Sequence, residues 1–301
     1  MVNSVTGPSD QNQRPRIACV GDIMVDVDHH CRCDRLSQEG PWPVYAIERT
    51  ERRWGGAGNV AAMTSAMGAH TLLLGVVGTE LEPLPELNGL EVLEYVRGKT
   101  STTKTRFIVD GRVCGPRLDS DLRLNICSPG RFIYGIRQFN PDAIIVADHG
   151  KGVVSAELME RLAELGVPLF LDPIATTPSP GSPPRSMVAQ YPAAIVAHEH
   201  EMPRWSRAEC IIWKSGPAGL RWCDGPNNGE LPSACRNLVD PLGAGDQFIA
   251  ALAYQRCLGL SWADAIEWAN TAAGLQCERR GCQPVTVNDV ESLSTCHAVL
   301  L

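Results

Sequence analysis

Short apolar runs recur along this chain, and each stops at a polar residue. Residues 17–20 lead into Gly21 and Asp22, 143–147 into Asp148, 168–171 into Asp172, 194–197 into His198 and 210–213 into Lys214. Continuous apolar runs of this length suit strands covered on both faces, the condition of a parallel sheet. Between them lie helical patterns at 58–67, 156–165, 246–258 and 262–275. Alternating strands and helices predict an α/β fold, a doubly wound, mostly parallel sheet flanked by helices. In such sheets ligands bind beyond the carboxyl ends of the strands. Asp22, Asp148, Asp172, His198 and Lys214 therefore fall along one expected edge. Any one of them is also an ordinary loop-starting residue, so the weight lies in their recurrence.

Some segments break the pattern. Residues 43–48 and 102–110 lack helix periodicity but are rich in strand formers, and a small sheet projecting from the main one is expected there. Its strands are inserted around 23–50 and 100–120. Residues 175–185 are rich in Pro and Ser and predict an exposed loop. Residues 224–230 (DGPNNGE) predict a hairpin turn after a strand at 220–223. Residues 1–15 are polar, without an apolar centre, and predict a disordered tail. The remainder, 16–301, is expected to be a single domain.

Composition narrows the function classes. The chain has 301 residues, 44% of them hydrophobic, with net charge −7 and no basic stripe. Nucleic acid is thus not an expected partner. No stretch approaches the ~18 apolar residues of a membrane helix, and a cytoplasmic location is expected. The twelve cysteines are irregularly spaced and include no C-x-x-C. They read as free, mostly buried thiols of a reducing compartment rather than as a disulfide framework or zinc site.

Two motifs carry chemistry. Asp240, Pro241, Leu242, Gly243, Ala244, Gly245 and Asp246 run in succession into an apolar helix. Gly243, Ala244 and Gly245 let the backbone turn tightly into a helix start, where free N–H groups and the helix dipole favour an anion. Asp246 is placed to take a proton from a hydroxyl that attacks a phosphoryl group. The second motif is Trp54, Gly55, Gly56, Ala57, Gly58 and Asn59. Its glycines permit backbone contact with a polar ligand, and Asn59 offers both donors and an acceptor. A tight loop before a helix would need the same residues. The glycines also suggest a dinucleotide site superficially, but they do not form G-x-G-x-x-G after a strand.

A glycine pair with a nearby Asn early in the chain and G-A-G-D late in it resemble the PfkB/ribokinase family of sugar kinases, with similarity from Arg16 to about Thr286. The runs at 21–26, 35–44, 55–59, 117–119 and 148–152 are most similar to the heptose-7-phosphate kinase branch. The resemblance implies an ATP-dependent phosphotransferase that uses Mg²⁺. It gives Gly243, Ala244 and Gly245 the anion hole and Asp246 the base. Asp22, Gly55, Gly56 and Asn59 receive the sugar hydroxyls, and Glu201 the Mg²⁺ hydration shell. Lys214, Ser215, Gly216 and Gly219 match the nucleotide loop, and Asn270 belongs near the adenine. The projecting strands become a lid over the sugar. A sugar that already carries a phosphate needs a cationic clamp, for which Lys104, Arg106, Arg117 and Lys151 are candidates, with Asp119 and Asp148 beside them. A homodimer is possible. The alternatives are another PfkB sugar or nucleoside kinase and a sugar-binding homologue without turnover. The chain departs from the pattern where His198 replaces an Asn, where Lys214 replaces a Thr, and at Pro241 and Leu242.

Overall fold

The structure, a computed structural model, describes residues 14–78, 90–94, 101–121, 129–173, 194–198 and 208–298. Of these, 90–94, 194–198 and 294–298 are described as backbone alone. The expected Pro-rich loop, nearly all of the expected tail, and Glu201 lie outside the described residues.

The apolar runs form the main sheet. At its centre β1 (Arg16–Gly21) pairs in parallel with β4 (His70–Gly75) and β8 (Ala143–Asp148). On the β8 side follow β9 (Leu169–Pro173), β10 (Ala194–His198) and β11 (Cys210–Lys214), all parallel. On the β4 side lies β5 (Leu90–Glu94), also parallel. An antiparallel ribbon, β12 (Leu220–Cys223) and β13 (Asn228–Leu231), completes nine strands beyond β11. The turn joining the ribbon is tighter than expected. Asn227 N–H donates to the Asp224 carboxylate at 3.1 Å, and pairing resumes at Asn228.

Side chains alternate across this sheet, and both faces are apolar. Ile17, Cys19, Leu73, Ile145 and Phe170 point into one buried cluster. Ala18, Val20, Leu72, Leu74, Ile144, Val146, Leu169 and Leu171 point into the other. Each large aliphatic side chain fully buried in this way contributes ~1.5–3 kcal/mol of transfer free energy. The first layer is covered by α1 (Ala57–Ala66), α4 (Ala244–Cys257) and α5 (Trp262–Cys277); the second by α2 (Gly130–Phe139) and α3 (Ala156–Ala163). A last helix, α6 (Val287–Ala298), packs against α5. The strands and helices read from the pattern are present within a few residues. β4, β5, α2 and α6 were not legible from it. In α2 the buried set Phe132, Ile133, Ile136 and Phe139 has helical spacing but is diluted by two glycines and exposed polar residues.

A second, four-stranded sheet has the order β3-β2-β6-β7. Its strands are β2 (Ile23–Arg32), β3 (Ala46–Gly56), β6 (Thr102–Val109) and β7 (Arg112–Ser120). β2 starts two residues after β1 ends, and Gly21 makes that exit possible. Its φ is +152°, and a Cβ there would stand 2.1 Å from the Ala147 carbonyl oxygen. Gly55 and Gly56 are not a separate loop, as a tight turn would require. They are the last residues of β3, paired with Met24 and Ile23, and the chain passes from them directly into α1.

Candidate active site

The carboxyl ends of the parallel strands meet along one edge. Gly21 is level with Ala147, Ala147 with Asp172, and His198 with Lys214. The Asp246 motif reaches this edge on α4. The Asp240 carboxylate shapes the approach, accepting N–H bonds from Leu242 and Gly281 at 3.0 Å each. Gly243, with φ +83°, then starts the helix, and Asp246 lies in its first turn.

Asn59, in the first turn of α1, donates from Nδ2 to Asp246 Oδ2 at 2.5 Å. The two motifs, 187 residues apart, thus meet through one hydrogen bond. Burial pushes the Asp246 carboxyl up to about 7; the Asn59 bond and Lys214 oppose this, while Asp172 and Asp26 add to it. A carboxylate held near neutrality suits general-base work.

Lys214 ends β11 and Asp172 lies in β9; Nζ donates to both Asp172 oxygens, at 3.1 and 3.2 Å. Beside them opens a cleft of about 430 Å³ whose walls include Lys214, Gly216, Gly219, Ala244, Gly245 and Asn270. Ser215 opens the tight turn at its rim, its N–H donating to the Gly219 carbonyl at 2.8 Å. The Asn270 amide donates to the Pro232 carbonyl at 2.9 Å. Most residues expected at the nucleotide and the anion hole therefore share one cavity.

Asp22 has a different setting from the one its motif suggests. Its Oδ2 accepts N–H bonds from His149 (2.9 Å) and Lys151 (3.0 Å), and its Oδ1 one from Val153 (3.1 Å). Both oxygens hold the loop after β8. Burial nonetheless raises its pKa, against the lowering effect of those bonds. The Asp148 carboxylate accepts from Gly150 in the same loop at 2.9 Å. His149, a half-buried residue of this loop, is driven down to about 3, first by desolvation and then by the charges of Lys104, Lys151 and Lys214, and stays neutral.

Of the expected clamp, Lys104, Arg106 and Arg117 lie on the second sheet, and Lys151 in the loop after β8. Arg53, Asp26, Lys104 and Asp119 stand opposite one another across β3, β2, β6 and β7. Asp28 and Arg106 form the neighbouring row on the same face. Arg106 pairs with Asp26 at 2.9 Å, and Arg53 with Asp28. Arg117 grips Asp119 with two bonds of 2.7 Å, and Lys151 meets Asp121 at 2.7 Å. Lys104 has no ion-pair partner within 4 Å among the described residues, and burial lowers its pKa. Asp26, Asp28 and Asp172 are buried acids at the site that the motif reading did not assign. Their signal was available: Asp26 and Asp28 follow Asp22 at even spacing, as one face of a strand requires.

Comparison with known proteins gives this arrangement a context. Residues 156–288 match the model of the pfkB family carbohydrate kinase. The chain is 29% identical over 317 residues to a D-beta-D-heptose 7-phosphate kinase of Bordetella bronchiseptica, covering 96% of this chain and 99% of that protein. It is 30% identical to the bifunctional protein HldE of Aeromonas hydrophila, covering 93% of this chain and 63% of that one. Among solved structures, Arabidopsis thaliana ribokinase complexed with ribose and ATP superposes with a TM-score of 0.71 at 19% identity, covering 93% of this chain and 99% of that one. Escherichia coli phosphofructokinase-2 does so at 0.72 and 13%, covering 94% and 98%. These likenesses show a ribokinase-like fold.

Proposed function

This chain belongs to the PfkB family of carbohydrate kinases, and from that premise we propose that it transfers the γ-phosphoryl group of ATP to the anomeric hydroxyl of D-glycero-D-manno-heptose 7-phosphate. The observation that carries the reading is the contact between Asn59 and Asp246. It joins the polar-ligand motif to the helix start where an anion is stabilised. Asp246 takes the proton of the attacking hydroxyl, and Asn59 holds its carboxylate in place. ATP lies in the cleft between Gly216, Gly219 and Asn270, with its terminal phosphate at Gly243, Ala244 and Gly245. Catalysis of this kind is mostly positioning and charge stabilisation.

Among the described residues no group of three or more His, Cys, Asp or Glu forms a metal cage. Mg²⁺ commonly uses one or two carboxylates together with substrate phosphates and water. The carboxylates along this edge provide the oxygen chemistry it takes, and the family resemblance assigns the outer role to Glu201. When bound, Mg²⁺ neutralises charge on the phosphates.

The acceptor's own phosphate is directed to the second sheet, which lies over the sugar as a lid. Lys104 is the primary contact there, with Arg106, Arg117 and Lys151 around it. The choice of heptose 7-phosphate rests on the Bordetella relative and on Lys104, which has no ion-pair partner within 4 Å among the described residues. The test compares kcat/KM for heptose 7-phosphate, unphosphorylated heptose and fructose 6-phosphate in an ATP-coupled assay. A preference of at least ~10-fold for heptose 7-phosphate, equal to ~1.4 kcal/mol, is expected. A smaller one removes the clamp and points to a broader sugar kinase. Sugar binding without ATP consumption would make the chain a non-catalytic homologue.

A further inference from the structure

At the position where the family pattern carries a Thr, this chain has Lys214, and its ammonium is enclosed. The side chains of Lys214 and Asp172 are only 13% and 3% exposed. A Cβ built at Gly245 would stand 3.0 Å from Lys214 Nζ and 3.8 Å from Asp172 Oδ2. The absence of a side chain at Gly245 thus leaves room for the ammonium against the first turn of α4. Withdrawing two charges from water costs several kcal/mol per ion, and apolar replacements of such pairs are often neutral or stabilising. Packing alone gives little reason for an ammonium in the wall of a cleft, beside a helix start whose leading N–H groups face an incoming anion.

We propose that Lys214 is the cation that receives the transferring phosphoryl group, and that Asp172 is its positioning residue. This rests on the kinase reading above. In the step, the acceptor hydroxyl gives its proton to Asp246, and its oxygen forms a bond to the γ-phosphorus. The bond from that phosphorus to the β–γ bridging oxygen breaks, and the electron pair leaves with ADP. Lys214 keeps its proton throughout. It donates to the γ-phosphoryl oxygens, where a charged donor outweighs the hydroxyl of a Thr. A triphosphate therefore meets Lys214, whereas a diphosphate, one phosphoryl group shorter, does not.

That difference defines the test. Calorimetric affinities for ADP and for a non-hydrolysable β–γ-imido ATP analogue, both with Mg²⁺, are compared in the wild type, Lys214→Arg and the double variant K214M/D172N. The double variant removes both charges, because K214M alone strands a buried carboxylate; thermal melting verifies its fold. The expected result is a loss of at least ~10-fold for the analogue with ADP within about threefold, and a kcat fall of ~10²-fold with the sugar KM little changed. Lys214→Arg keeps most of the analogue affinity. Equal changes for the two nucleotides, or full turnover by a folded double variant, overturn the proposal and leave the kinase reading standing. A wild type that binds neither nucleotide overturns both.

Discussion

As the proposed general base, Asp246 would tie rate and stability to one side chain. Its carboxyl is displaced from the ordinary value of 3.8 to about 7, mainly by burial. A general base must be deprotonated to act, so kcat/KM is expected to rise with pH and level off above about 7. An acidic limb near 4 in the pH–rate profile would contradict the assignment. The stability consequence has the opposite sign. Between 3.8 and about 7 the folded protein holds a proton that the unfolded chain has released, so this group favours the fold less as pH rises through that window. Asp246→Asn should therefore lower kcat by ~10²–10⁴. It should also melt no lower than the wild type at pH 8, because Asn keeps an acceptor for Asn59 without the buried charge. Steady-state kinetics and a melting curve on the same sample test both halves. The motif around Asp246 was readable in the sequence because glycine, small residue and acid follow one another. Its raised pKa was not, because that comes from burial, with Asp172 and Asp26 adding to it, and only the fold brings these about.

At the scale of elements, Asp22 has a structural task beside the substrate role its motif implies. The carboxylate stands just past the end of β1, level with the loop after β8, and its two oxygens accept three backbone N–H groups. It fixes the loop that carries His149 and Lys151. Replacing one oxygen by an amide turns an acceptor into a donor facing a donor. Asp22→Asn is thus expected to destabilise by ~1–3 kcal/mol for a buried group left unsatisfied. Hydrogen exchange should quicken selectively at the amides of His149, Lys151 and Val153. Unchanged protection there would return Asp22 to a role on the substrate. The same scale shows which parts of the fold were legible. Fully apolar strands ending at polar residues announced β1, β8, β9, β10 and β11. By contrast β3 continues through Trp54, Gly55 and Gly56 because β2 supplies its ladder, whereas the glycines alone read as a loop. The order of the strands and the rows of opposed charges depend on register, which no single segment carries.

At the scale of the whole molecule, the proposed reading divides the work of a phosphotransferase acting on a sugar hydroxyl between the two sheets. The edge of the main sheet gathers Asp172, Lys214 and the start of α4, and the second sheet presents Asp26, Lys104, Arg106 and Asp119 on one face. They are joined by the short exit at Gly21 and by the passage from β3 into α1, which also delivers Asn59 to Asp246. In the proposed reading, a bound sugar phosphate would have its reacting hydroxyl at Asp246 and its own phosphate against the second sheet. Of the four clamp candidates, Arg106, Arg117 and Lys151 already hold carboxylates. Lys104 has none within ion-pair distance among the described residues. A phosphate would give Lys104 a partner where now it bears a desolvation cost that lowers its pKa. Lys104→Met preserves the length of the side chain and removes the charge. It should reduce kcat/KM for heptose 7-phosphate by ~10–100-fold, about 1.4–2.7 kcal/mol, and leave unphosphorylated heptose within about twofold. Arg117→Met, which breaks an exposed pair with Asp119, should have the smaller effect. Parallel kinetics with the two sugars separate the outcomes, since equal losses on both would make Lys104 a structural cation of the sheet, and no loss on either would move the phosphate elsewhere.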